Sequence, residues 1–543
     1  MRADCVWLPV VRPLRPVLLA VLLVLSYAAP AWAVPDPAAV AETIRRAVEQ
    51  LRSTGQVTIA GQRLRSMQAL PEIYESRGFS LLWTDPASEA ALLGEIAASA
   101  GEGLAPADYH FAAIRAAVER RVAAPDDPAI AAAVDMLMTD ALLRLATHFY
   151  FGKVDAATGR PRWDLEGNIR GEAGALQVAA MASGSNLAAQ LAELRPSQPL
   201  YGRLKGALAR YRLIEREGGW QPVPAGRVLQ AGMDDPRVRL LRRRLVWSGD
   251  HPATDDDSTV FDPGLETALR RFQARHGLEP DGLFGPASMR AANRSVGEVI
   301  EVLRANLERA RWVLADVRGR FLAVDPASAQ VSLLSGGQAV LSQTAAFAPG
   351  TRMAAEFRSD LRYCVVHPDW ILSADLVRTQ VAPLARRRPA ALEARGLQVF
   401  SADGEPIDAT RADWSRPEAL IVRQIPGPPS FLGVIRFAMP NPQGLFLHGG
   451  PDEGEALPGA IRIEDPIAFA RALAGAPATW SQEVLGQALA GGTPQTLQLA
   501  VPIPVVYAPW TAWIDQDGKA HFRRGFAERD EMIVAGLRAR ASR

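Results

Sequence analysis

The sequence predicts an α+β multidomain protein: an α-helical N-terminal domain, a compact three-helix module, and a mixed-β domain carrying a helical insertion. Three observations predict this. At 543 residues the chain is too long for one core, and about three or four domains are expected. Apolar residues make up 48% and charged residues 22%, the balance of a folded chain. The apolar periodicity also changes along the chain, from helical spacing to a turn-rich module and then to short strand-like runs beyond Asn306. The formal net charge of +1 provides no broad basic field, so neither nucleic acid nor an anionic membrane is expected as a partner.

The first 33 residues read as a processing segment. Arg2, Arg12 and Arg15 form a positive start, Pro16 to Tyr27 is an apolar run, and Ala31-Trp32-Ala33 fits a small-residue cleavage site. The run is short for a bilayer span, and no later stretch is apolar enough to be one. An exported protein is therefore expected, without a membrane span once the signal is removed; the alternative reading of the same segment is an uncleaved N-terminal anchor. Cleavage leaves 57 basic against 58 acidic residues, a net charge of −1. Of the two cysteines, Cys5 lies in this segment and Cys364 remains, so an internal disulfide and a cysteine-based zinc site are both excluded.

Residues 34–226 form the helical domain. Residues 36–52 are rich in Ala and Arg, and Met136 to Phe151 places apolar residues at three- and four-residue spacing. Gly103-Leu104-Ala105-Pro106 and Gly152-Lys153-Val154-Asp155 are turns within it. The module follows at 227–295. Its first helix is Val238 to Trp247, a second starts at Phe261-Asp262-Pro263, and His276-Gly277-Leu278 ends that helix with glycine in the left-handed position. Asp281-Gly282-Leu283-Phe284-Gly285-Pro286 turns into the third helix. In the next domain, 304–480, strands are expected at Phe321–Val324, Val331–Leu334, Val340–Ser342, Leu361–Val366, Leu420–Val422, Val434–Phe437 and Leu445–Leu447. A helical cap is expected at about 370–418, and an amphipathic helix at Asp465 to Leu473. Residues 481–543 read as an extension with one strand, Leu497 to Val506, and a final helix from Asp530, packing on the scaffold or on the mixed-β domain.

The run FDPGLETALRRFQARHGLEPDGLFGPAS resembles the three-helix peptidoglycan-binding module of many wall enzymes, with Ser288 where threonine is usual. The resemblance points to Phe272, His276, Asp281 and Gly282 as the motif residues. Most of the motif, Phe272, Leu278, Gly282 and Gly285 included, determines the fold more than it identifies ligand-contacting atoms.

A second resemblance is carried by IVRQIPGPPSFLGVIRFAMPNPQGLFLHGGP, residues 421–451, which is similar to the catalytic core of the YkuD-type L,D-transpeptidases. It is closest in kind to the large periplasmic group in which a helical scaffold and a peptidoglycan-binding module precede the catalytic domain. Asn306-Leu307-Glu308-Arg309-Ala310-Arg311-Trp312, His367-Pro368-Asp369-Trp370 and Val501-Pro502-Ile503-Pro504-Val505-Val506 support the same group. In that family a strand ends in H-G-T or H-D-T-P and is followed by S-x-G-C-x-R. Here the counterparts are His448-Gly449-Gly450-Pro451 and Pro458-Gly459-Ala460-Ile461-Arg462, so Ala460 stands where the family has its cysteine.

The chemistry implied by the family needs a thiolate. It attacks a stem-peptide carbonyl, histidine shuttles the proton, main-chain N–H groups hold the oxyanion, and an amine takes the acyl group. Loss of such a nucleophile costs on the order of a million-fold in rate. Between Ser430 and Ser481 there is no Ser or Cys, and Thr479 is the sole Thr. Cys364 sits mid-strand and reads as an inert core thiol. The resemblance makes His448 the family's base and Arg462 its site arginine, suited to pairing a carboxylate. Gly459 flanks the empty position.

Three readings follow. The first is a catalytically inactive wall protein that binds peptidoglycan stem peptides or a wall-synthesis partner in the periplasm of a Gram-negative-type cell. The second is an active enzyme forming 3-3 cross-links through a non-standard nucleophile, with Cys364 the thiol candidate. The third is a hydrolase using a water activated by His448. The remaining histidines show neither i, i+4 pairing nor an acidic set at ligand spacing, so no metal and no cofactor are expected.

Overall fold

The helix Pro128–Phe151 is buried on nearly every side, and the N-terminal domain is assembled around it. Asp127 starts it by accepting bonds from the N–H groups of Ala129 and Ile130, with Pro128 preset for the first turn. A helix apolar all round must be central to its domain. Around it pack Pro37–Thr54, Ala69–Ser76, Pro86–Ala98, Phe111–Ala123 and Gly174–Ala182. The computed structural model describes residues 35–163, 174–184, 186–254, 256–348, 350–427, 429–451, 459–474 and 480–540. The expected signal segment, Pro458 with most of its loop, and Thr479 lie outside the described residues.

The module has its three helices at Arg237–Trp247, Pro263–Arg275 and Pro286–Ala292. Val238, Leu241, Leu245, Leu265, Leu269 and Phe272 are among the residues that fill its core. Gln273, 1% exposed, ties its turn together. Its Nε2 donates to Asp281 Oδ1 at 2.7 Å, Leu283 O at 2.9 Å and Ser288 Oγ at 3.0 Å, and its Oε1 accepts from Gly282 N at 2.9 Å.

Eight strands form a closed barrel: β1 Phe321–Asp325, β2 Gln330–Ser335, β3 Gln338–Phe347, β4 Phe357–Val366, β5 Ile435–Ala438, β6 Phe446–His448, β7 Ala460–Ile463 and β8 Gln495–Tyr507. Around the barrel the order is β5-β6-β7-β3-β2-β1-β8-β4. The pairs β6–β7 and β1–β8 are parallel and the rest antiparallel. Two sequence expectations change here. The strand expected in the C-terminal extension is a barrel stave, β8, so residues 481–543 are not a separate appendage. Leu420–Gln424 is not a barrel strand, and the cap is not purely helical. That strand pairs with Trp370–Ile371 and Leu397–Ser401, and Pro406–Ile407 completes a four-stranded antiparallel sheet within the cap. The cap's helical part is short, with turns such as Ala382–Arg387 and Ala390–Ala394.

The helix Val296–Leu314, opened by a Ser295–Glu298 capping box, joins the parts. On its scaffold side Glu308 accepts from Val154 N at 2.5 Å and pairs with Arg311 at 2.7 Å, while Trp312 Nε1 donates to Val154 O at 2.8 Å. On its other side Arg309, fully buried, pairs with Glu356 at 3.0 Å and Asp530 at 2.6 Å. The final helix, Ala527–Arg538, ends on the scaffold, where Lys153 Nζ donates to Leu537 O at 2.8 Å and Ala539 O at 2.9 Å.

Candidate functional site

Strand alternation sorts the barrel's residues between two environments. One registered rung runs Cys364, Phe437, Leu447 and Ile461 across β4, β5, β6 and β7. All four are fully buried in the barrel core. The adjacent rung, one residue along each strand, runs Val365, Arg436, His448 and Arg462. It therefore lies on the outer face. Phe446 and Ala460 form the next pair on that face, and Ala460 belongs to the apolar cluster of the cap with Val422, Leu432 and Leu372. The outer face of β6 and β7 thus lies beneath the cap, where His448, Arg462, Ala460 and Gly459 come together.

His448 is 6% exposed. Its Nδ1 accepts a bond from Gly450 N at 3.1 Å, which places the proton of the neutral ring on Nε2. Burial pulls its pKa down to about 4, a main-chain bond at Phe431 opposes the shift in part, and Arg462 and Arg436 push it further down. The imidazole is held neutral in an electropositive setting. The Arg436 guanidinium lies 4.9 Å from the Phe446 ring centroid. Arg436 escaped notice in the sequence, although its alternation with core Phe437 was a usable signal.

The segment Phe431–Gly433 lies against the strand end at His448. Gly433 and Gly449 form a parallel bridge, and a Cβ on Gly450 would fall 1.8 Å from Phe431 O. The backbone of this segment occupies the space into which a side chain at position 450 would project. A threonine or serine cannot replace Gly450 with these loops in place. Gly459 has φ +79°, and a Cβ there would lie 2.5 Å from Gly444 O, so it brings β7 into line by close backbone approach.

Cys364 is separated from this site by the barrel wall. Burial pushes its thiol up to about 12, the opposite of what a nucleophile requires. Among the described residues no group of three or more His, Cys, Asp or Glu side chains is placed to hold a metal ion.

The module's motif residues lie elsewhere and mainly build structure. Phe272 is fully buried. His276 stacks on it at 3.8 Å and on Phe522, in the hairpin of Ala512–Ile514 and Ala520–Phe522, at 5.2 Å, and its Nδ1 bonds to Phe272 O at 2.7 Å. Burial holds this imidazole neutral, well below the usual histidine value. Gly282, φ +75°, is buried against Glu266, and exposed Asp281 is engaged by Gln273 and by Leu283 N. The His276 side of the module faces the rest of the protein. The sequence motif had no way to signal this, because the partner Phe522 is some 250 residues away.

Comparison with known proteins matches residues 68–208 to a scaffold domain and residues 234–291 to a peptidoglycan binding domain. A Haemophilus influenzae protein that bears the name of an L,D-transpeptidase is 24% identical over 227 residues, covering 40% of this chain and 46% of the relative. The chain thus spans less than half of that relative's length. A crystallised L,D-transpeptidase from Xylanimonas cellulosilytica aligns at 14% identity over 53% of this chain and 100% of its own, with a TM-score of 0.16, a superposition too loose to build on. No helix among the described residues is long and apolar enough to cross a membrane.

Proposed function

We propose that this chain, which carries a scaffold domain and a peptidoglycan-binding domain and is homologous to an L,D-transpeptidase, is an exported wall protein that binds peptidoglycan without cross-linking it. One observation carries the reading: His448 and Ala460 share the outer barrel face beneath the cap, while the mature chain's single thiol, Cys364, points into the barrel core. A methyl group offers no electron pair for acyl transfer, and Cys364 cannot reach His448 without opening the barrel. The histidine's own geometry supports the same conclusion. With Nδ1, the basic nitrogen of this tautomer, engaged by Gly450 N and its pKa pulled down to about 4, the ring is a weak and poorly placed acceptor for a proton from an attacking water or hydroxyl. Arg462, the family's site arginine by resemblance, and Arg436 beside it make the setting electropositive, which suits a stem-peptide carboxylate.

Export to a periplasm fits the positive, apolar and small-residue pattern of residues 1–33. Cosedimentation of the mature protein with purified sacculi tests the binding half of the proposal. Retention is expected, and it should fall when residues 227–295 are removed. Recovery of the full-length protein entirely in the supernatant would overturn it.

A further inference from the structure

A second recessed site lies on the opposite side of the architecture, where the helix Pro199–Arg216 crosses the outer face of β1 and β2. It is a cavity of about 230 Å³. Alternation again explains the lining: Phe321, Ala323 and Asp325 face it from β1, and Gln330, Ser332 and Leu334 from β2, while Leu322, Val324, Val331 and Leu333 point into the barrel. The C-terminal segment closes it with Trp510 and Trp513.

The walls are fixed. Gln198 Nε2 donates to Val317 O at 2.9 Å at the start of the helix, and a Cβ on Gly337 would fall 2.5 Å from Pro199 Cγ. Trp513 stacks on His521 at 4.9 Å, and the Arg523 guanidinium lies 4.6 Å from its ring centroid. Asp325 is already engaged: Oδ1 accepts from Ala327 N at 2.9 Å and Trp510 N at 3.1 Å, and Oδ2 from Ser328 Oγ at 2.6 Å. Arg203 is different. It lines the cavity, its Nε is buried without a partner, and it makes no ion pair among the described residues. With Asp325 held by its own hydrogen bonds, the Arg203 guanidinium on the wall of a mostly apolar recess is available to an anionic ligand.

We propose that this cavity binds a carboxylate-bearing ligand with a compact apolar or ring-shaped body, the carboxylate paired to Arg203 and the body against Phe321, Leu334 and Trp510. Its size admits a single sugar ring or a dipeptide. Cavities where domains meet are common ligand sites, and the planar guanidinium suits a carboxylate. The choice of wall fragments as candidate ligands rests on the reading of the chain as a peptidoglycan protein. Within that material the carboxylate has two sources, the lactyl group of the amino sugar and the stem peptide.

The test is calorimetric titration of the full mature chain with N-acetylmuramic acid, with L-alanyl-D-glutamate, and with uncharged N-acetylglucosamine. At least one acid should bind about ten-fold or more tighter than the neutral sugar, and which acid it is identifies the source. Arg203→Ala should weaken that binding by about ten-fold or more, with partial recovery in Arg203→Lys. Ala323→Phe, which fills the cavity and leaves the arginine in place, should abolish it. Sacculus retention, which reads the module, should persist in all three variants. Soluble-acid binding without sacculus retention would sink the module reading alone. If neither acid binds, or if both Arg203→Ala and Ala323→Phe bind like the wild type, the cavity proposal is wrong.

Discussion

Protonation of His448 can be followed directly. Burial holds its pKa at about 4, well below the ordinary 6.5. At about 1.36 kcal/mol per unit, the folded protein prefers the neutral ring by about 3 kcal/mol, an upper figure given the group's slight exposure. Because the folded value is depressed, this stability is fully present above pH 6.5, shrinks as pH falls, and is lost once pH passes below 4. A histidine paired with a catalytic thiolate would be shifted in the other direction, since a neighbouring anion favours the imidazolium. The assay is NMR titration of ring-labelled histidines, with the His448 signal assigned by its disappearance in His448→Gln. No change in that signal is expected between pH 8 and about 5.5. The variant should also lose less stability than the wild type between pH 6.5 and 4. A His448 signal that titrates at or above 6.5 would refute the account of a buried, neutral imidazole.

Other perturbations have expected sizes. Gly450→Ala forces a methyl group into Phe431 O and should destabilise the barrel by at least about 2 kcal/mol, read as a lower unfolding temperature, whereas a silent substitution would mean that the segment yields easily. Cys364→Ser places a hydroxyl in the barrel core and should cost about 1–3 kcal/mol while leaving sacculus binding unchanged. Arg309→Met takes the arginine from Asp530 and leaves Glu356 with Arg529 alone, and should cost about 3 kcal/mol by chemical denaturation. Phe522→Ala removes one side of the His276 stack and should raise hydrogen exchange in Pro263–Arg275 without unfolding the barrel.

Much of this architecture was legible because local signals and tertiary environment agree. Asp262-Pro263 starts a helix by capping chemistry, and Phe321 to Val324 is the short apolar run that a largely buried strand requires. The cap misled for the opposite reason: its Arg- and Ala-rich stretches favour helix, yet Leu397–Ser401 gains its strand character from pairing with Leu420–Gln424. β7, with four residues, is too short to announce itself, and its place is set by parallel pairing to β6. Ala460, His448 and Arg462 were found through motif spacing. Their common face, and the exclusion of Cys364 from it, depended on register, which a single sequence does not carry. The crowding by Phe431 was equally hidden, because it is a main-chain contact.

Covalent capture of a transpeptidase inhibitor tests the central claim most directly. The mature protein is incubated with a carbapenem and its intact mass measured. The account predicts an unmodified mass, because Ala460 has no nucleophile and Cys364 is sealed in the barrel. A stoichiometric adduct that vanishes in Cys364→Ser, or that maps to any residue beneath the cap, would contradict it.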